Sequence, residues 1–264
     1  MKKYFIVAKN TWDEILSYRV NFTLWRIRTV VAVLISYFLW SSVIPTDGSL
    51  FGYTREAMIS YILIGPLLYS VVFATRSHEI SENINSGDLS LWLLKPFGYF
   101  KYWFARDMGD KAMNLAFCVV EFSLLLLILR PALYVQTNPY YLGLVVAAIV
   151  MAVLLQFFIS CLISMLGFWS PEAWAPRFIF YVLLSFFTGS VFPLDILPEP
   201  IYQILMVLPF AYLQYFPLKI YLGQMGFMEI MQGFGILILW TAFFYFVLMK
   251  VWKLGLKNYA ASGR

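Results

Sequence analysis

Between Pro131 and Pro171 the chain carries no charged residue, and the centre of that stretch, Leu142–Trp169, is apolar almost throughout. A helix at a water-exposed surface needs a polar face, and this segment has none to offer. Its length suits a different solvent, because crossing a hydrocarbon core takes about 20 apolar residues. The pattern recurs. Thr29–Ile44 with its neighbours, Ala57–Thr75, Phe178–Leu194 and Ile230–Met249 are charge-free, and Lys111–Arg130 is interrupted only by Glu121. Charged residues make up 12% of the chain, about half the share usual in soluble domains. Mean hydropathy is +0.77. The sequence predicts an all-α integral membrane protein, a single domain over residues 1–264. Lys9, Asp13 and Glu14 fall where the apolar core of a cleaved leader would lie, so none is expected.

Six spans are expected, over 24–44, 56–75, 111–130, 142–169, 176–193 and 230–250. An amphipathic helix over 4–20 precedes them, with Phe5, Ala8, Trp12, Ile15 and Leu16 on one side, and is expected to lie in the membrane interface. Cytoplasmic loops collect Lys and Arg. With both termini cytoplasmic, 16 of the 19 basic residues fall inside, leaving Arg55, Arg130 and Lys219. Arg26 and Arg28 would then reach the cytoplasmic side from the start of the first span. Residues 198–222 are apolar enough to cross, but prolines at 200, 209 and 217 break helical bonding repeatedly. A seventh crossing would also reduce the inside count to 13. The segment therefore reads as re-entrant outer helices hinged near Pro209, tolerated where protein or water covers the break.

The inner connection, 76–105, is more elaborate than a loop needs to be. Ile80 and Ile84 give a polar helix one apolar stripe beside Glu79, Glu82 and Asn83. Gly87 permits a reversal, Asp88 is placed to cap the next turn, and Leu89, Trp92 and Leu93 share a face. Pro96 then ends the turn at Lys95. An aromatic run from Phe97 to Phe104 is expected to return along the headgroups. Two readings remain open from the residues alone: a knob that docks a soluble partner, or a loop lying on the bilayer.

The stretch "EISENINSGDLSLWLLKPFGYFKYWFARDMGDK" resembles the ABC type 2 permease family, in its branch of six-span efflux permeases. Ile84, Gly87, Asp88, Leu89, Leu93 and Pro96 carry the match, which extends to "GSVFPLDILPEP", "LPFAYLQYFPLKIYLG" and the tail "WKLGLKNYAASGR". The resemblance implies a transmembrane subunit of a type V ATP-binding-cassette exporter in the cytoplasmic membrane. It implies a coupling helix between spans two and three, contacting the ATPase through Glu79, Gly87, Asp88, Leu89, Trp92, Leu93, Lys95 and Pro96. The chain has no phosphate-binding G-x-x-x-x-G-K-[ST] loop. ATP and magnesium would therefore sit on a separate ATPase subunit, with no cofactor in this chain. A second permease, identical or a sister, would complete the machine. Membrane lipid is the remaining partner, and no nucleic acid is expected.

Other residues carry weaker readings. Glu121 is the one acidic residue inside a span, and ionisable groups there are functional candidates. It would either face a transport path favouring cations or be protonated and bonded to a neighbouring helix. Gln156, Phe186 and Phe187 are further path candidates, the two rings also serving packing and lipid contact. Gly189, Phe192, Pro193 and Pro209 are placed to shape an outer gate. His78 is the only histidine, so no metal cluster or histidine-based catalytic set is expected, and no catalytic residue is assigned. An integral membrane enzyme acting on lipid and a proton-coupled carrier remain the rival classes. The first lacks paired acids or histidines and the second lacks inverted repeats. The cargo, whether drug, antibiotic, lipid or peptide, is expected to be hydrophobic or amphipathic.

Overall fold

The computed structural model describes residues 2–45, 48–96 and 98–259. Helix α1 (Lys2–Ser17) gives way at Tyr18 to α2 (Arg19–Val43). A hairpin of β1 (Ser49–Leu50) and β2 (Tyr53–Thr54) leads into α3 (Arg55–Phe73). The Thr54 hydroxyl caps α3 by accepting from the Ala57 amide at 3.3 Å. Two short helices follow, α4 (His78–Asn85) and α5 (Leu89–Leu93), and then the long α6 (Tyr99–Leu129). Helix α7 (Pro139–Ser164) tightens into a 3-10 turn over Met165–Phe168, and α8 (Trp174–Phe187) follows. Next come α9 (Glu199–Val207), α10 (Tyr215–Tyr221) and α11 (Phe227–Asn258).

Among the described residues, five helical stretches, built on α2, α3, α6, α7 and α11, are long and apolar enough to cross a membrane. The fold is all-α and membrane-integral. Helix α8, expected as a span over 176–193, has only 14 residues. At 1.5 Å per residue it covers about 21 Å, against roughly 30 Å of hydrocarbon. The chain turns at Gly189, where φ is 76°, and Pro193 and Pro198 bar a restart of the same helix. The segment expected over 198–222 forms α9 and α10, separated by an extended Leu208 and a 3-10 turn over Phe210–Leu213.

At the other end, the helix that carries the third span, placed at 111–130, already begins at Tyr99, so the rings from Tyr99 to Phe104 lie on the first turns of α6, and Phe97 lies outside the described residues. The rings have protein partners: Tyr99 stacks on Trp252 at 4.9 Å, and Trp103 is buried among Ile80, Phe157 and Phe168. The N-terminal helix, expected to lie in the interface over 4–20, packs along α6 with Thr11 and Ile15 buried. Trp12 Nε1 donates to the Gly109 carbonyl at 2.7 Å. Phe5 and Leu16 stay exposed. The remaining boundaries move by a few residues, most at α11, which runs to Asn258 rather than 250 because its last turns have a surface to pack against.

The main core lies between α3, α7 and α10, and Tyr215 to Ile220 are all buried in it. One of those residues is Lys219. Its ammonium donates to Asp195 Oδ2 at 2.8 Å, Gln224 Oε1 at 2.7 Å and the Tyr53 hydroxyl at 3.2 Å. Tyr53 in turn donates to Asp195 at 2.9 Å. This lock ties the hairpin, the loop after α8 and the re-entrant segment together. Lys219→Met is expected to cost roughly 3 kcal/mol, the low end for leaving one partner of a buried pair alone. The detergent-solubilised protein should melt several degrees lower, and Asp195→Asn in the same chain should restore most of the loss. A single variant melting with the wild type would rule the lock out as a stabilising element.

Candidate coupling site at the α4–α5 turn

Helix α3 ends where the chain bends into α4, and a bend among apolar helices leaves backbone groups to satisfy. Helix α6 satisfies them. Lys111 Nζ donates to the Val72 carbonyl at 2.8 Å and the Ala74 carbonyl at 2.5 Å. One turn earlier, the fully buried Asp107 accepts from the Thr75 hydroxyl at 2.9 Å and the Arg76 amide at 2.7 Å. Beside them, Arg106 pairs with Glu79 at 2.5 Å and with Glu14 of α1. Arg76 lies 3.6 Å from both Glu79 and Asp110. Burial pushes the Glu79 carboxyl above its usual range, although Arg106 and Arg76 pull it down. Glu79 is therefore engaged inside the chain by Arg106 and Arg76.

Helix α4 rests on the end of α7. Ser81 donates to the Ser164 carbonyl at 2.8 Å, the Ser164 hydroxyl donates to the Ser77 carbonyl at 2.7 Å, and Asn85 Nδ2 reaches the Pro171 carbonyl at 3.0 Å. Ile80, Ile84 and Leu89 fill the apolar side of the seat. At Gly87 the backbone reverses with φ at 84°, a conformation that costs a residue with a Cβ about 1–2 kcal/mol. Asp88 does not cap α5. Its backbone is helical (φ −64°, ψ −18°) and makes no side-chain cap bond, whereas a cap adopts extended geometry. Its carboxylate instead accepts from the Ser86 hydroxyl at 2.8 Å.

Helix α5 has two sides. Leu89 is fully buried, and Trp92 packs on Tyr102 at 4.5 Å with the Lys95 ammonium 3.3 Å above its ring. On the other side Leu91, Leu93 and Leu94 are 60%, 46% and 83% exposed. Leu93 thus leaves the face expected for it and joins the outer one. Lys95 and Pro96 are exposed at its edge, as are Asp88 and Glu82. The result is an apolar patch with a charged rim on a turn held rigidly from behind.

The expected path residues are not brought together. Glu121 does not stand free: it forms a bidentate pair with Arg26 of α2. Arg26 is buried, with Asn114 Oδ1 at 3.4 Å and Cys118 Sγ at 3.0 Å. Gln156 is fully buried and donates to the Ser160 hydroxyl at 3.1 Å and the Tyr181 hydroxyl at 3.3 Å, joining α7 to α8. Phe187 stacks on Phe210 at 6.1 Å, while Phe186 faces outward and is 49% exposed. Gly189 and Pro193 are buried and Phe192 half-buried at the turn after α8, where the Gly189 carbonyl accepts from Tyr61 at 2.7 Å. Pro209 is buried at the break between α9 and α10. Among the described residues no group of three or more His, Cys, Asp or Glu side chains could hold a metal ion.

Residues 30–263 match the family described as ABC-2 family transporter protein. The chain belongs to the ABC-2 transporter family. It is a membrane permease of that family rather than an enzyme. Its matched region takes in α3 to α11 whole, while α1, and with it Glu14, lies before the match. No curated protein matches the chain.

Reading the sequence missed Arg106, Asp107 and Lys111 as builders of this permease's bend and counted Arg106 and Lys111 only toward topology. A signal was present: Asp107 and Lys111 stand four residues apart, on one face of a helix that continues as apolar. The pairing of Arg26 with Glu121 predicts that Glu121→Gln damages stability before it alters cargo preference. It should lower the melting temperature by several degrees, with Arg26→Met in the same chain recovering most of it. Unchanged melting together with a shifted preference for cationic cargo would overturn the pairing role.

Proposed function

We propose that this permease is the membrane half of an ATP-driven exporter in the cytoplasmic membrane, and that the α4–α5 turn is where a separate ATPase docks. One observation carries the reading. The bend that leads into α4 is fixed by Lys111, Asp107 and Arg106, α4 is seated on the end of α7 through Ser81 and Ser164, and the turn beyond offers Leu91, Leu93 and Leu94 to the outside. A loop meant only to float on lipid has no use for a buried scaffold of backbone caps and ion pairs. ATP and magnesium belong to that partner. Helix α8 presents Phe178, Ile179, Val182 and Phe186 outward, a face suited to a second permease, identical or sister, across a shared path. Cargo entering such an apolar path is hydrophobic or amphipathic. In this arrangement α8 counts as the sixth crossing, shortened by the re-entrant pair on the outer side, and both termini are cytoplasmic.

Leu91→Glu and Leu94→Glu together should reduce co-purification of the ATPase at least tenfold, which needs about 1.4 kcal/mol of lost binding. Permease level in the membrane should stay near normal, because both side chains are already exposed. Undiminished co-purification would assign the leucines to lipid. A cysteine at Asn258 should react with impermeant reagents only after the cytoplasmic side is opened. Labelling in intact cells would invert the topology.

A further inference from the structure

Trp252, Gly255 and Tyr259 recur at three- and four-residue spacing on one side of the end of α11, and all three meet the packing that supports the helical hairpin formed by α4 and α5. Trp252 stacks on Tyr99 with ring planes 18° apart. At Gly255 the Phe168 ring comes so close that a Cβ would stand 2.2 Å from it. Tyr259 meets the same ring edge-on at 6.2 Å. Its hydroxyl donates to the Gly87 carbonyl at 2.6 Å and accepts from the Ser90 amide at 3.3 Å. One phenol therefore bridges both sides of the turn that leads into α5.

Helix α11 runs on without a proline for 32 residues. Near its start Gly233 lies against Phe216 of α10, where a Cβ would again come within 2.2 Å of the ring. Trp240 Nε1 donates to the Val207 carbonyl, the last residue of α9, at 2.9 Å. Tyr259 and Gly233 are about 39 Å apart along the helix axis at 1.5 Å per residue. A single unbroken helix thus grips the hairpin turn at one end and both re-entrant helices at the other.

We propose that Tyr259 is a positioning residue that latches the last helix to the α4–α5 turn, so that α11 carries movement of the turn to the re-entrant pair. The proposal rests on the reading that the turn docks an ATPase. Coupling over such a distance requires a contiguous element whose position both ends bias, and α11 is contiguous with both.

Tyr259→Phe keeps the ring against Phe168 and removes only the hydroxyl. In the purified permease alone, the variant should leave the Ser90 amide only its 3.3 Å bond to the Gly87 carbonyl and, by loosening the turn, speed its hydrogen exchange several-fold, since exchange reads local opening. Unchanged exchange would overturn the latch. In the permease–ATPase complex, spin labels at cysteines replacing Glu56 and Gln203 report the re-entrant pair against α3. A non-hydrolysable ATP analogue should change that distance in the wild type and change it by less than half as much in Tyr259→Phe, with the ATPase still bound. A full-sized change in the variant would make Tyr259 merely structural and overturn the proposal. Failure of any ATPase to co-purify with the wild type would instead strike the docking reading, and the exchange result would still judge the latch.

Discussion

The bend between α3 and α4 is the constraint on which the rest of the hairpin depends. Leaving a helix inside an apolar bundle frees carbonyls at its end and amides at the next start, and lipid offers them nothing. Here one turn of α6 supplies both kinds of partner. Lys111 takes the carbonyls of Val72 and Ala74, and Asp107 takes the Arg76 amide and the Thr75 hydroxyl. With the bend fixed, α4 can lie on the end of α7, the turn at Gly87 is set, and α5 projects at one angle. A buried acid and a buried base, each bonded to backbone, define a direction as well as hold it.

Several of the chain's few charges serve such internal fixtures. Glu79 and Glu14 meet Arg106 and Arg76, Glu121 meets Arg26, and Asp195 meets Lys219. Apart from Arg76 with Glu79, three residues on, each pair joins elements well separated in sequence. In water an exposed ion pair contributes little, but in apolar surroundings an unpartnered charge costs far more than a pair, so pairing specifies which helices adjoin. An acid inside a span is therefore not by itself a mark of cargo recognition. Here it is a mark of where α2 meets α6.

The two ends of the bundle are built differently. At the hairpin end aromatic and apolar side chains from α4, α5, α6, α7 and α11 share one cluster, so a push on the hairpin meets a continuous packed surface. At the far end the re-entrant segment is buried in the main core and pinned by Lys219, Asp195 and Tyr53. Helices α3, α7 and α11 traverse the space between, and α11 makes hydrogen bonds toward both ends through Trp240 and, just past its last turn, Tyr259.

The sequence by itself determined the solvent, the fold class and the place of the hairpin. Those follow from local physics: long charge-free runs demand lipid, prolines at 200, 209 and 217 forbid a plain span, and Gly87 beside Asp88 marks a reversal. The family resemblance in Ile84 to Pro96 was legible for the same reason, being contiguous. Tertiary structure decided who meets whom. The Tyr99–Phe104 rings read as a surface belt, yet Trp252 and Phe157, distant in sequence, give them protein partners on the first turns of α6. Asp88 has the residue type of a cap, but a neighbouring serine and a helical backbone give its carboxylate another task. Arg26 and Glu121 carry no local sign of each other, because a pairing across 95 residues is fixed by how the helices pack and not by anything along either one.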